Sequence, residues 1–381
     1  MKGSIRKRGN VWSYRIDLGI DPKTGKRKQK RGSGFKRKKD AEAALAKVNT
    51  ELISGMYVSE KEITFKNFAY QWLDDYIGRN NVKPGTVRIR KHEINRLLDY
   101  LAELKMKDVT RTQYQSAINK LCDRFSNNTM SGVYNTGKAI FRKAVEWEVI
   151  KKNPVEFTHR KIKKENRDEL PNYMEKEQLA LFLKTVNEHG LPLDKLIFYT
   201  LAYTGVRIGE LIALRWDDVL FNSNTLEIKK TLYNPNNNIK DYILVDTKTK
   251  TSKRGIYVDE DIVNLFKDQR KKQNEIKLLY QYEDRGFVFA NENGLPMLAK
   301  TITSRLKRLL KIADLDTRLT LHSFRHTHVS LMAEAEVSLE AIMERMGHKS
   351  DEVTKSVYLH VTKKVKEEAS HKFVKLMKDF M

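Results

Sequence analysis

The sequence LHSFRH spans residues 321–326, and His348 and Tyr358 follow it within the same short stretch. His322 and Arg325 stand three residues apart, a spacing that places two side chains on one face of a helix. Tyr358 lies ten residues after His348. Imidazole and guanidinium groups donate hydrogen bonds to a phosphate, and a phenol can attack its phosphorus. The stretch therefore predicts a site that holds a phosphate and attacks it.

Two upstream segments carry further cationic side chains. The sequence TGVRIGE contains Arg207 and, three residues later, Glu210, while the sequence KTKTSKR contains Lys250. An arginine can donate two parallel hydrogen bonds to phosphate oxygens and stays charged. Arg207 could also simply pair with Glu210 at this spacing. Lys248 and Lys253 flank Lys250, so the functional cation of that segment stays open among the three.

In chain order, these residues resemble the catalytic set of the tyrosine recombinase (phage integrase) family. The pattern of that family reads Arg, Lys, His-x-x-Arg, His or Trp, and Tyr. The resemblance assigns Glu210 as the acid that orients the first arginine. It assigns the catalytic positions to Arg207, Lys250, His322, Arg325, His348 and Tyr358.

The resemblance also implies a mechanism for cutting DNA. Tyr358 would attack the phosphodiester and form a 3′-phosphotyrosyl link, while Arg207 and Arg325 clamp the phosphate. The two histidines would donate hydrogen bonds and handle the tyrosine proton, and Lys250 would protonate the departing 5′ oxygen. The covalent link keeps the bond energy, so neither ATP nor any other cofactor is expected.

Other functions remain open at this point. One is a non-catalytic DNA-binding regulator on a recombinase scaffold, another is a type IB topoisomerase, and a third is a metal-dependent nuclease. His322 and His326 could mimic two zinc ligands, but the sequence lacks a His-Glu-x-x-His pattern and a cysteine nearby, so no metal site is predicted. His326 and His328 are predicted to be structural.

The composition points to a polyanionic partner. The net charge is +24 and the pI is about 9.7, which is typical of nucleic-acid-binding proteins, although a ribosome-associated protein or a solvated basic surface would share it. No run approaches the ~18 apolar residues of a membrane span, and the N-terminus lacks an apolar leader. We therefore predict a cytoplasmic, DNA-associated protein without membrane contact. Cys122 is the single cysteine and is predicted to lie in a core.

The first 39 residues have a net charge of +13 but do not read as a structureless basic arm. Trp12, Tyr14, Ile16 and Leu18 alternate with polar or small residues, which predicts a half-buried strand. A second strand at 26–31 and a helix at 41–52 complete a small basic domain over residues 1–56. The family resemblance implies that its sheet has three strands. Such a domain is suited to a DNA major groove. The resemblance implies that it binds accessory arm sites; a plain solvated face is the alternative. The predicted DNA contacts are Arg15 and Lys28.

Residues 62–153 show four helical patterns with basic side chains between the apolar positions. They resemble the core-binding (SAM-like) domain of the family, although an ordinary helical bundle would show the same periodicity. A basic linker follows at 154–172. The predicted DNA contacts of the helical domain are Arg88, Arg90, Lys91, Lys138 and Arg142.

The remaining residues, 173–381, predict a mixed α+β catalytic domain. Helices are expected at 175–189, 193–203, from Arg207 to about Trp216, 261–279, 300–313, 322–335 and 339–346. Short strands are expected at 226–232, 242–245 and 255–258, with Lys250 in a turn between strands. The predicted fold class is mainly α with small antiparallel β-sheets in three domains.

The resemblance finally implies partners. They are double-stranded DNA with core-type and arm-type attachment sites, a homotetramer assembled on that DNA, an excisionase and a host DNA-bending protein. The basic N-terminal domain favours the integrase of a mobile element over a chromosome-dimer resolvase. An amphipathic tail at 365–380 is predicted to pack on its own domain or on a neighbouring protomer.

Overall fold

The computed structural model describes residues 3–20, 27–53, 62–80, 82–163, 172–246, 253–279, 282–347 and 352–362, with residues 374 and 377. The chain divides into two compact units, Met1–Glu165 and Asn166–Met381. The predicted fold class is confirmed, because helices dominate and the sheets are small and antiparallel. The finer division into four segments stays a prediction. Within the described ranges, no helix combines the length and apolar character that crossing a bilayer requires.

The first unit begins with a three-stranded antiparallel sheet and one helix. The alternation predicted from the sequence is confirmed, because Tyr14 and Ile16 are buried against Val48 of the helix while Arg15 between them is exposed. Trp12 lies 6.0 Å from the ammonium groups of both Lys7 and Lys38. The elements are β1 (Ser4–Arg8), β2 (Val11–Ile20), β3 (Arg27–Phe35) and α1 (Lys38–Ile53).

A four-helix core forms the rest of the first unit. Pro84 begins α3, where its missing N–H costs no hydrogen bond. Thr110 and Gln113 form a capping box that satisfies two backbone N–H groups at the start of α4. Cys122 is buried in this core, as predicted. The helices are α2 (Phe65–Asn80), α3 (Pro84–Leu101), α4 (Arg111–Arg124) and α5 (Asn127–Glu146).

The helices of the second unit surround an apolar core. Phe182, Phe198 and Phe324 lie at its centre, with ring centroids 5.3–5.8 Å apart. Phe324 belongs to α11, so this aromatic cluster fixes the helix that carries Arg325. The helices are α6 (Lys176–His189), α7 (Asp194–Thr204), α8 (Ile208–Leu211), α9 (Glu260–Leu279), α10 (Ala299–Ile312), α11 (Ser323–Glu334), α12 (Leu339–Met346) and α13 (352–362).

Two small sheets complete the second unit. One has the order β4-β5-β8 and the other pairs β6 with β7, so β7 and β8 belong to different sheets. The prediction of one strand at 226–232 was wrong, because the chain leaves the first sheet at Lys229 and joins the second at Lys230. The strands are β4 (Val219–Leu220), β5 (Thr225–Ile228), β6 (Lys230–Tyr233), β7 (Ile243–Asp246) and β8 (Arg254–Tyr257).

The helix predicted from Arg207 to about Trp216 is also shorter than expected. It ends at Leu211, and Arg215 in the following segment forms an isolated antiparallel β-bridge with Phe287. The four apolar residues 211–214 are all buried. A continued surface helix would expose some of these four side chains to water. Burying all four therefore favours a chain that leaves the helix after Leu211 and runs through the core.

We expect Phe182→Ala to destabilise the second unit by about 3–5 kcal/mol, because the change removes a fully buried ring and leaves a cavity. The neighbouring Leu181 is 46% exposed on the same helix, so Leu181→Ala should change the free energy of unfolding by only about 0.5 kcal/mol. Urea denaturation of both variants measures the difference. Equal losses would contradict the packing described here.

Candidate active site

The structure describes four of the six predicted catalytic residues. Arg207 is the N-cap of α8 and Arg325 lies in the first turn of α11. His322 is the N-cap of α11, and Tyr358 belongs to α13. Lys250 and His348 lie outside the described residues, as does the predicted tail at 365–380 apart from residues 374 and 377.

Arg207 is fixed by Glu210, as the three-residue spacing predicted. Its Nη1 donates to Oε1 of Glu210 over 2.9 Å, and its backbone N–H donates to Oε2 over 3.1 Å. The Arg207 side chain is 37% exposed, whereas the Glu210 side chain is only 3% exposed. The guanidinium therefore faces the surface while its carboxylate partner lies below it.

A second arginine, Arg254 at the start of β8, reaches the same carboxylate. Its Nη2 donates to Oε2 of Glu210 over 3.0 Å, and its Nε donates to the backbone carbonyl of Arg345 over 2.7 Å. Burial alone would raise the pKa of Glu210, but the charge and hydrogen bond of Arg254, together with Arg207, hold that pKa below its usual range. Glu210 is therefore an ionised carboxylate between two guanidinium groups.

Arg325 is buried and bound by two helix ends. Its Nη1 donates to the carbonyl of Gly205 over 2.8 Å, and its Nη2 donates to the carbonyl of Met346 over 2.5 Å. Gly205 is the C-cap of α7 and Met346 is the last residue of α12. Carbonyls at helix C-termini lack helical partners and carry partial negative charge. Arg325 therefore joins α11 to α7 and α12 through backbone carbonyls.

His322 precedes the helix that was expected to carry it. Because α11 begins at Ser323, His322 lies at the cap, exposed, and its ring contacts His326 edge to face at 4.7 Å. Among the residues that the structure describes, no group of three or more His, Cys, Asp or Glu is arranged to hold a metal ion.

Tyr358 is half-buried on α13. It packs against an apolar cluster that includes Val329 of α11 and Met346 of α12. Met346 also provides a carbonyl to Arg325. The cluster thus places α13, which carries Tyr358, against α11 and α12, two of the three helices that Arg325 links.

The buried His328 and the half-buried Arg345 form a pair that the sequence did not single out as functional. The Nδ1–H of His328 donates to the carbonyl of Ala202 over 2.9 Å, so its Nε2 accepts from Nε of Arg345 over 3.1 Å. Burial, and then the charge of Arg345, lower the pKa of His328 to about 4. His328 is therefore neutral and structural, as predicted. Arg345 also donates to the carbonyls of Tyr203 and Tyr257.

Arg254 and Arg345 were missed because their partners are distant in the chain. Arg254 binds a carboxylate 44 residues away and a carbonyl 91 residues away. No periodicity or motif in the sequence indicates such pairings. The only available signal was that Arg254 follows a lysine-rich stretch of sequence and precedes a predicted strand.

The predicted DNA contacts divide into two groups. Most are exposed, and Arg15 donates to Gln29 along the sheet over 2.6 Å. Arg90 differs, since it is half-buried and its Nη1 donates to Glu93 and Thr136, both over 2.7 Å, which holds α3 against α5. The side chain of Lys28 lies outside the described residues. The exposed members are Arg15, Arg88, Lys91, Lys138 and Arg142.

Comparison with protein families identifies three matching segments. The Phage integrase family matches residues 172–365, which include Arg207, Arg254, Arg325 and Arg345. The Arm DNA-binding domain matches residues 4–52, and the phage integrase N-terminal SAM-like domain matches residues 64–122.

Individual proteins with similar sequence or structure agree with these matches. The integrase of Staphylococcus phage L54a is 30% identical over 336 residues, which cover 83% of this chain and 94% of that protein. A Tn1549 transposon integrase in complex with a circular intermediate DNA is similar in structure, with a TM-score of 0.62, 23% identity and coverage of 76% and 94%. A lambda integrase tetramer bound to a Holliday junction gives a TM-score of 0.56, 18% identity and coverage of 93% and 94%. At these identities the two structures show a shared fold.

We expect Gly205→Ala to destabilise the second unit more than Gly286→Ala. Both glycines have positive φ, +61° and +74°, so each substitution strains the backbone by about 1–3 kcal/mol. A Cβ at Gly286 meets nothing within 4 Å, whereas one at Gly205 lies 2.9 Å from Met346 and 3.0 Å from His328. Urea denaturation separates strain from crowding, and equal losses would contradict the close approach.

His328 should make stability depend on pH. Its pKa is about 4 in the folded protein, below the ~6.5 of an unfolded chain, so the unfolded state binds a proton first as pH falls. The stabilising contribution is complete above about pH 6.5 and is lost as pH falls towards 4. We expect the wild type to lose about 3 kcal/mol more than His328→Gln across this window, measured by urea denaturation. Parallel pH profiles would contradict a buried neutral imidazole.

Proposed function

The chain belongs to the phage integrase family of tyrosine recombinases, and from this membership we propose that it integrates and excises a mobile element. A tyrosine recombinase cuts and rejoins DNA at specific sites. The observation that carries the proposal is the pair of arginines, Arg207 and Arg325. Each is fixed by its own buried partners, and both lie in the unit that also carries Tyr358. A guanidinium has five N–H donors, so the hydrogen bonds that fix each arginine within the protein are compatible with a further hydrogen bond to a phosphate.

In the proposed reaction, the phenolic oxygen of Tyr358 attacks the scissile phosphorus. A bond forms between that oxygen and phosphorus while the bond to the 5′ oxygen breaks, which leaves a 3′-phosphotyrosyl link. Arg207 and Arg325 stabilise the charge on the non-bridging oxygens. His322 and His348 donate hydrogen bonds and handle the tyrosine proton, and Lys250 protonates the 5′ oxygen.

Rejoining is the reverse of this step. The 5′-hydroxyl of a partner duplex attacks the phosphotyrosyl phosphorus and releases Tyr358. One phosphate ester replaces another at each stage, so no external energy source enters the reaction. Glu210 orients Arg207 throughout.

We further propose that the three predicted domains contact different parts of the DNA. Residues 1–56 bind arm-type sites through Arg15 and Lys28. Residues 62–153 and 173–381, joined by the linker 154–172, hold a core-type site. The net charge of +24 and the matches to arm-binding and SAM-like domains support this division. The core-type contacts include Arg88, Lys91, Lys138 and Arg142, with Arg90 as a member that also holds α3 to α5.

The assembly is proposed to be a homotetramer on DNA. The lambda integrase of similar fold forms a tetramer bound to a Holliday junction, which supports the proposal. An excisionase and a host DNA-bending protein are proposed as accessory partners in the cytoplasm, where the complex stays DNA-associated. The regulator and topoisomerase alternatives gain no support from the similar proteins, which are named integrases.

Covalent trapping tests the activity and the nucleophile together. We expect the wild type, mixed with a nicked suicide substrate from the end of the element in EDTA, to give an SDS-resistant protein–DNA band. Tyr358→Phe should bind the same DNA but give no band. Tyr257→Phe is a matched control, because Tyr257 is 64% exposed in the same unit and lies outside the catalytic pattern. A band with Tyr358→Phe would assign the nucleophile to another residue.

A further inference from the structure

We propose that Arg254 is a positioning residue for strand cleavage. It fixes Glu210, and through it Arg207, and at the same time it fixes the end of α12, which leads directly to His348. The inference rests on the catalytic roles proposed for Arg207 and His348.

The geometry of Arg254 is that of a bridge between two elements. Its Nη2 donates to Glu210 in α8 over 3.0 Å, and its Nε donates to the carbonyl of Arg345 in α12 over 2.7 Å. The Arg254 side chain is only 6% exposed. A guanidinium is planar and rigid, so both bonds persist only while α8 and α12 keep one relative position.

On the α8 side, Arg254 maintains the acceptor that Arg207 requires. Oε1 of Glu210 accepts from Nη1 of Arg207, while Oε2 accepts from Arg254 and from the backbone of Arg207. Without Arg254 the buried carboxylate would lose one of its two cationic partners. Protonation of Glu210 would then become easier, and a neutral carboxyl group would hold Arg207 by a weaker, uncharged hydrogen bond instead of an ion pair.

Two cations from neighbouring elements act on Glu210 in the part of the chain that the structure describes. Arg254 from β8 and Arg207 at the cap of α8 are the charged groups that lower its pKa. The strand β6 also packs on α8, but its charged residue, Lys230, is exposed. The helix α7, which packs there too, carries its charged residues, Asp194 and Lys195, in its first turn.

On the α12 side, two arginines bind consecutive carbonyls at the end of one helix. Arg254 takes the carbonyl of Arg345 and Arg325 takes that of Met346. Cationic groups are favourable at this negative end of the helix. Gly347, with φ of +69°, then turns the chain immediately before His348. Arg254 and Arg325 together therefore fix the end of α12, from which the chain continues to His348.

The same unit offers a matched ion pair away from the site. Arg305 of α10 binds Asp194 of α7 over 3.0 Å, and the carboxylate is fully buried. Loss of either arginine therefore removes a cation from a buried carboxylate. Of these two arginines, Arg254 touches residues that position the proposed catalytic groups and Arg305 does not, so Arg305→Met reports the cost of losing a buried pair without affecting the site.

The first experiment compares cleavage with DNA binding. Single-turnover covalent trapping on the suicide substrate would be measured at saturating protein for the wild type, Arg254→Lys, Arg254→Met and Arg305→Met. We expect Arg254→Lys to cut about 10- to 100-fold more slowly, because one ammonium cannot bind both partners, while DNA affinity stays within about twofold. Arg305→Met should lose thermal stability but cleave at the wild-type rate.

The pH profile separates positioning from general damage. In Arg254→Met the pKa of Glu210 should rise, so the rate relative to the wild type should fall further as pH is lowered. Adding Glu210→Gln should remove this extra dependence, since an amide does not titrate. A positioning role through the carboxylate predicts both results, whereas general damage to the fold gives a constant ratio at every pH.

The outcomes distinguish the inference from the proposed function. If the wild type forms no adduct, the proposed function fails. If the wild type forms adduct and Arg254→Lys matches its rate, the inference alone is overturned. The same conclusion follows if the loss in Arg254→Met is constant with pH and equal to that in Arg305→Met. Should Arg254→Met fail to fold, Arg254→Lys, which keeps the charge, decides the question.

Discussion

An ionised carboxylate held between two guanidinium groups is the interaction on which the second unit depends. Burying Glu210 as a charge is costly unless partners compensate for the lost water. Arg207 and Arg254 provide that compensation from different elements, and Arg254 extends the connection to α12. Breaking such a buried pair typically costs about 3–5 kcal/mol. Folding of the second unit and alignment of its arginines are therefore parts of the same process.

The two proposed phosphate-binding arginines are held by different physical means. Arg207 shares its charge with a carboxylate, whereas Arg325 donates to carbonyl dipoles at the ends of α7 and α12. A dipole orients a cation without neutralising it, so these two contacts fix Arg325 without cancelling the charge that would attract a phosphate. Gly205 is required for this arrangement, because its carbonyl accepts from Arg325 where Met346 and His328 leave no room for a Cβ.

The sequence was informative where structure depends on local periodicity. Helices such as α9 and α12 were predicted to within a residue or two, and the order of six polar residues led to the family. It was not informative where tertiary contacts decide. Leu226, Ile228 and Leu232 share the spacing of one strand face that only Lys230 interrupts, so the pattern predicted a single strand where the chain changes sheets. Arg254 and Arg345 look like ordinary basic residues until the fold brings their partners to them.

The division of the strands into two sheets has an evolutionary consequence. A hairpin loop joins strands whose hydrogen-bond register limits its length. The segment from β7 to β8, which includes Lys250, connects strands of separate sheets, so no shared register couples its two ends. Single-residue insertions and deletions can therefore accumulate there while both sheets keep their pairing. Natural selection can thus change how far the segment carries Lys250 from the two sheets.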